Sequence, residues 1–309
     1  MIDRVEAKLF LVVKGVDLNI FHLTKHSRVR FALLSLVVFL VVVVSYLVIL
    51  FHRAHSQLAA VELFVNSLHG SVSYAFDFDE RFERTAGRPR VPSWLLHTFG
   101  RDLFYDVADV SLWQKKVTDH ELQHLDSLPN LIRLDLRGTG VTNAGLRYVA
   151  ECRDLRGLYL GGTRIDDAGL KYLSRLKRLV ELDVSYTKIS DAGLARLRGL
   201  ANLCALNLGY TSVAGNGLRD IGSLTELRGL RLDGIRLRGD SLVSIASLPN
   251  LQELNLNHSG VNDVQVDCLQ KSPSLESLWL YKTDVSEAMM NKLRRVRPNL
   301  TIHLTSTID

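Results

Sequence analysis

Apolar positions in this chain follow two rules. Residues 31–51, FALLSLVVFLVVVVSYLVILF, hold no charge and only Ser35 and Ser45 as polar interruptions. At about 1.5 Å per residue the run makes a helix of roughly 31 Å, matching a bilayer core of about 30 Å and exceeding the roughly 7–15 residues of a signal-peptide core. One transmembrane helix is expected there. From residue 104 onward apolar residues instead recur every 24 positions. Leucine stands at 131, 155, 179, 203, 227, 251 and 275; a second column runs from Leu134 to Leu278, and a third from Leu136 to Leu280 with Val184 its one exception. The last two columns alternate, which places them on one face of a short strand. A fourth column (Val141, Ile165, Ile189, Val213, Leu237, Val261, Val285) precedes apolar pairs three residues apart, from Leu146 and Val149 to Met290 and Leu293. Such pairs mark the buried stripe of a short helix.

Each unit is therefore strand, turn and helix, and no unit of this size covers its apolar face alone, so neighbours must stack. The units from Leu128, Cys152 and Leu176 carry GTGVTNAGL, GTRIDDAGL and YTKISDAGL. They resemble the leucine-rich repeat family, in the subclass similar to many bacterial surface-protein repeats and to those of F-box proteins. The resemblance implies an α/β solenoid, a horseshoe with a parallel concave sheet and short convex helices. With the apolar run it divides the chain into a cytoplasmic tail (1–30), a transmembrane helix (31–51), a juxtamembrane helix and N-terminal cap (52–103), one degenerate plus seven clear repeats (104–295) and a C-terminal cap (296–309). Two units depart from the pattern. Ala214-Gly215 and Arg238-Gly239 stand where Thr, Ser or Asp followed by Asp or Asn would cap a helix, so these helices should begin poorly, unless the glycines serve turns with positive φ.

Before the repeats, residues 54–68 have an amphipathic pattern that continues the membrane helix, with Gly70 expected to end it. Residues 71–76 alternate like a strand, 78–90 read as a loop, and Pro92 opens a short helix through Leu96.

The net charge of +5 suggests nucleic acid only until it is partitioned. Residues 54–309 hold 31 Lys and Arg against 30 Asp and Glu, which offers no footprint for DNA or RNA. The excess flanks the apolar run: Lys25, Arg28 and Arg30 precede it, whereas Arg53 is the only Lys or Arg in the 29 residues that follow. This asymmetry predicts a cytoplasmic N-terminus and an extracytoplasmic repeat domain at the cell membrane.

Candidate chemistry is sparse. Cys152, Cys204 and Cys268 have no metal-ligand spacing and read as small buried or half-buried thiols. His120-Glu121-Leu122-Gln123-His124 matches H-E-x-x-H, the signature of a zinc hydrolase, but it occupies the D-A-G-L position of the degenerate first unit, and His124 falls in a column of solvent-facing residues. Asn257-His-Ser259 and Asn299-Leu-Thr301 match the glycosylation pattern, which matters only in a eukaryote. No catalytic residue, metal site or cofactor is expected. What remains is the face opposite the leucines, where Trp113, Arg133, Asp135, Tyr159, Asp183, Tyr186, Asn207, Tyr210, Arg231, Trp279 and Tyr281 supply the residue types that dominate protein-binding hot spots. A protein ligand docked around Tyr159, Tyr186 and Tyr210 is the expected partner. A structural, self-associating envelope element is the alternative.

Overall fold

The computed structural model describes residues 27–75, 91–99, 101 and 104–305. Most of the expected cytoplasmic tail, the 78–90 loop and the last four residues lie outside the described residues. The chain divides into two units, one ending at Arg53 and one beginning at Ala54. Helix α1, Ser27–Val61, contains neither proline nor glycine and is long and apolar enough, by length and composition, to cross a membrane, with a mean hydropathy of 3.1 over its most apolar stretch.

In the second unit the end of α1 becomes part of the solenoid core. Ala60 and Phe64 are buried, and the buried Gln57 amide donates to Tyr105 O at 2.8 Å and accepts from Val107 N at 3.2 Å. The helix widens into a π-turn over Glu62–Ser67. Its end differs from the expectation: the left-handed residue is His69 (φ 53°), whereas Gly70 is needed for space, since a Cβ there would lie 2.5 Å from Leu112 Cδ2 and 2.8 Å from Ser111 O. Strand β1, Ser71–Tyr74, then pairs antiparallel with β2, Val107–Ser111. Between them α2, Ser93–Phe99, follows Pro92, whose carbonyl accepts from Leu95 N.

From β2 the sheet is parallel and in sequence order: β3 Arg133–Asp135, β4 Gly157–Tyr159, β5 Glu181–Asp183, β6 Ala205–Asn207, β7 Gly229–Arg231, β8 Glu253–Asn255, β9 Ser277–Trp279 and β10 Thr301–His303. The degenerate first unit thus contributes a true strand. Pairing runs Leu134 to Leu158, Leu158 to Leu182 and onward with one repeat between partners, so every leucine column is also a stack of buried side chains. The returning helices are short: α3 Leu146–Val149, α4 Asp167–Leu173, α5 Asp191–Leu194, α6 Leu218–Ile221, α7 Val243–Ala246, α8 Asp263–Val266 and the longer α9 Glu287–Val296. Buried Thr139, Thr163 and Thr187 each donate their hydroxyl at 2.6 Å to the carbonyl of the core residue three positions earlier, closing the turn after the strand.

Helix starts follow the cap column. Thr142, Asp166, Ser190, Asn262 and Ser286 accept from a main-chain N–H two or three residues on, at 2.9–3.3 Å. The helices behind Ala214 and Arg238 have no side-chain cap, as expected, and Gly215 (φ 113°) and Gly239 (φ 55°) both take positive φ. The next column, expected to share in capping, does something else. Asp119 accepts from Thr142 N and Oγ1, Asp167 from Ser190 N and Oγ, and Asp263 from Ser286 N and Oγ, at 2.6–2.8 Å, while Asn143 and Asp166 exchange two bonds. These side chains tie one unit to the next. They also explain the A-G-L glycine. A Cβ at Gly145, Gly169 or Gly193 would collide with the carboxylate or amide oxygen of the preceding unit and lie 2.9 Å from its core leucine. In the last unit Met289 occupies this position, at the start of a longer helix.

The tie and the missing side chain should be energetically coupled. Asp167→Ala removes two charge-assisted bonds and should cost about 1.5–3 kcal/mol. Gly193→Ala should cost a comparable amount alone, but the double variant should fall short of the sum by about 1 kcal/mol or more in denaturant unfolding, because the colliding oxygen is gone. Strict additivity would show that the two do not share the space.

Candidate functional site

The open face of the sheet carries the expected residues, sorted into distinct groups. Across β2–β5, Arg137 forks onto Asp135 (3.0 and 2.7 Å) and lies over the rings of Trp113 and Tyr159, at 5.9 and 5.3 Å from their centroids. Arg133 donates to the Tyr159 hydroxyl at 2.6 Å, and that hydroxyl donates to Glu181. Gly157 makes room for this arrangement: a Cβ there would stand 3.3 Å from both Arg133 Cγ and the Tyr159 ring. Burial, then the bond to Glu181, raises the Tyr159 phenol well above its usual range, so it remains a proton donor. The Asp135 bonds, offset partly by burial, raise the Arg137 guanidinium further.

Next to this cluster the sheet holds a hollow of about 280 Å³, lined by Tyr159, Glu181, Asp183, Asn207, Arg231, Glu253, Trp279 and neighbouring residues. The hollow exists because Ala205 and Gly229 stand where the flanking strands carry Glu181 and Glu253. That first strand column, apart from Arg133, was not anticipated, although the small residues between two glutamates are visible in the repeat alignment. Three expected docking groups also serve the backbone: Asp135, Asp183 and Asn207 each accept from the N–H two residues on, at 2.9–3.1 Å. Trp279, expected to be exposed, is 6% exposed, because His303 of β10 stacks on it with centroids 4.5 Å apart. Tyr281 meets His258 edge-on.

Tyr186 and Tyr210 follow β5 and β6 just beyond the residues that line the hollow. Their rings stack at 4.5 Å and 10°, yet remain 63% and 39% exposed. Burial, then the facing Tyr210 and Asp233, raises the Tyr186 phenol above its usual value. Both tyrosines sit in the left-handed region (φ 54° and 55°), as do Gln114, Gly138, Gly162, Gly234, His258 and Lys282 at the same turn of the other units. Gly234 cannot be enlarged, since its Cβ would lie 2.5 Å from the Tyr210 ring. A left-handed non-glycine residue costs about 1 kcal/mol, whereas an aromatic pair returns roughly 0.5–1.5 kcal/mol. Two strained residues for one exposed stack leave little local gain.

The remaining signals have structural explanations. Glu121–Ser127 is a 3-10 helix, in which residues four apart diverge by about a third of a turn, so His120 and His124 do not share a face. Glu121 accepts from Thr118 N at 2.7 Å and Thr118 Oγ1 at 2.8 Å; burial pushes its carboxyl up, but these bonds outweigh it and hold it below the usual range. Among the described residues no group of three His, Cys, Asp or Glu is placed to hold a metal. Burial raises the Cys152 thiol to about 12. Asn257 is 3% exposed and accepts from Tyr281 N, so the folded protein does not present it as a glycosylation acceptor.

A leucine-rich repeat family profile matches residues 127–150 and 178–197. Two solved structures from Listeria monocytogenes share the architecture. Internalin C2 is 24% identical with a TM-score of 0.50, over 64% of this chain and 81% of that one. An internalin F is 17% identical with a TM-score of 0.52, over 72% and 61%. No curated protein matches the sequence. The chain is a leucine-rich repeat protein by fold, a solenoid with an N-terminal apolar helix.

If the tyrosine stack is kept for contact and not for folding, Tyr186→Gly should leave stability within about 1 kcal/mol of the parent, because relief of positive φ offsets the lost stack and the entropy of glycine. A loss above about 2 kcal/mol in denaturant unfolding would make the pair structural.

Proposed function

We propose that this is a single-pass membrane-anchored protein whose leucine-rich repeat domain lies outside the cytoplasm and binds a protein ligand on its concave face. The observation that carries the reading is the exposed Tyr186–Tyr210 stack beside a hollow of mixed charge. Large rigid side chains on fixed neighbouring strands bury area with little loss of freedom, which favours tight docking. Tyr159, Arg231 and Glu253 flank the stack as specificity groups, while Asp135, Asp183 and Asn207 contribute through the lone pairs left over from their backbone bonds. No catalysis is assigned to this face.

The membrane part of the proposal rests on α1 and on the basic residues before it. Protease added to right-side-out vesicles should remove the repeats and spare the N-terminal segment. Protected repeats would reverse the orientation.

For the binding face, full-length protein in neutral detergent is compared with variants for capture of membrane and extracellular proteins. Tyr186→Ala and Tyr210→Ala should each weaken capture of any specific ligand by about 1–3 kcal/mol in a titration, and convex Tyr172→Ala, Arg196→Ala or His124→Ala by much less. Equal losses on both faces, or full binding by the folded double tyrosine variant, would refute the site. Concentration-dependent self-association with no foreign ligand would favour the envelope-element alternative.

A further inference from the structure

The first column of the sheet face reads Glu181, Ala205, Gly229, Glu253 across β5–β8, two carboxylates around two positions with no side chain beyond a methyl. Neighbouring strands lie about 4.8 Å apart, so the glutamate backbones stand roughly 14 Å from each other, and the hollow of about 280 Å³ opens between them. Its walls are held in place. Glu181 is half-buried and accepts from the Tyr159 hydroxyl, which Arg133 engages in turn at 2.6 Å. Asp183, two residues on, accepts from Ser185 N at 2.9 Å and from Ser185 Oγ at 2.6 Å. Glu253 leans inward from the other side: a Cβ at Gly229 would lie 4.0 Å from its Oε2.

What the walls lack is a counter-charge. The arginines of this face are already engaged: Arg137 with Asp135 at 2.7 Å, Arg133 with Tyr159, and Arg231 with Asp233 at 3.6 Å, further along its strand than the glutamate column. Among the described residues no cation stands within ion-pair distance of Glu181, Asp183 or Glu253, and the Glu253 carboxylate makes no hydrogen bond. Carboxylates gathered in a concave site without a cation build a negative potential that an incoming cation relieves. A metal ion does not fit, since among the described residues no three ligating groups converge. The shape suits a long side chain instead, with Ala205 and Gly229 as the floor for an aliphatic stem and carboxylates on both sides.

We infer that the protein ligand inserts one arginine or lysine side chain into this hollow, its stem over Ala205 and Gly229 and its charged head paired with Glu253, in the field of Glu181 and Asp183. The inference rests on the concave docking face proposed above and adds the chemistry of what docks there. The Tyr186–Tyr210 stack supplies contact area, whereas the hollow supplies selection: a neutral or acidic side chain at this position leaves the carboxylates unpaired or repelled.

Random dodecapeptides displayed on phage are selected on the full chain in neutral detergent, and the tightest are synthesised for titration. They should share one Arg or Lys whose replacement by uncharged citrulline or norleucine weakens binding about tenfold or more. Glu253→Gln should cost as much, and on that variant the uncharged peptide should lose no more than about twofold further, as expected of two partners in one contact. The Glu253 carboxylate bonds to nothing among the described residues, so this variant keeps the fold. Ala205→Leu, which fills the slot without altering charge, should also weaken binding about tenfold. Failure to enrich peptides with a common basic residue, or a citrulline penalty unchanged by Glu253→Gln, overturns the inference. If Tyr186→Ala and Tyr210→Ala then still weaken the selected peptides, the docking face stands and only the role of the hollow falls; if neither the tyrosines nor the hollow matter, both fall.

Discussion

Everything in the solenoid depends on parallel strands meeting in register one repeat apart. A three-residue strand and a four-residue helix bury almost nothing alone; their leucines become a core only when Leu134 lies on Leu158 and Leu158 on Leu182. Exact repetition makes the alignment of one unit the alignment of all, so the local bonds recur too: the threonine that closes the turn, the cap that starts the helix, the side chain that reaches forward to the next unit. The end before the repeats needs a different solution. There β1 reverses direction, and Ala60 and Phe64 at the end of the long helix supply the apolar cover.

Much of this was legible in the chain. Leucine spacing located every strand of the repeats, including that of the degenerate unit, and the absence of Thr, Ser, Asp or Asn at 214 and 238 located the two uncapped helices. Identity within a column does not reveal the direction in which a side chain reaches, however. Asp167 and Asp191 look like capping residues until their bonds are seen to cross to the following unit, and the glycine after each alanine looks like helix punctuation until the preceding oxygen is seen against it. His69 was missed because glycine next to it is the commoner left-handed residue.

The candidate face was legible in part, for related reasons. Alternation along the strands placed Tyr159, Asp183, Asn207 and Arg231 correctly on the open side, and the adjacency of Tyr186 and Tyr210 followed from their common column. Their positive φ was not read from the column, where Gln114, His258 and Lys282 stand beside Gly138, Gly162 and Gly234 and hide the turn that all of them share. The sequence offers a capping strand at 300–304, but it does not show that the His303 ring turns onto Trp279 and buries it.

The reach of Asp167 into space left by Gly193 also sets a rule of succession among the units. Asp at the forward-reaching position, when the unit behind it has a short helix, needs glycine at that unit's receiving position, whereas glycine at the first site tolerates a serine, as Gly215 tolerates Ser241; only the long last helix takes Met289 behind Asp263. Tandem duplication of the unit from Leu176 would satisfy the rule at both new joints. Moving the unit from Leu224 directly behind it would drive a hydroxymethyl group into Asp191. The order of these repeats is therefore written into their helices, and recombination between them is directional even though their leucines are interchangeable.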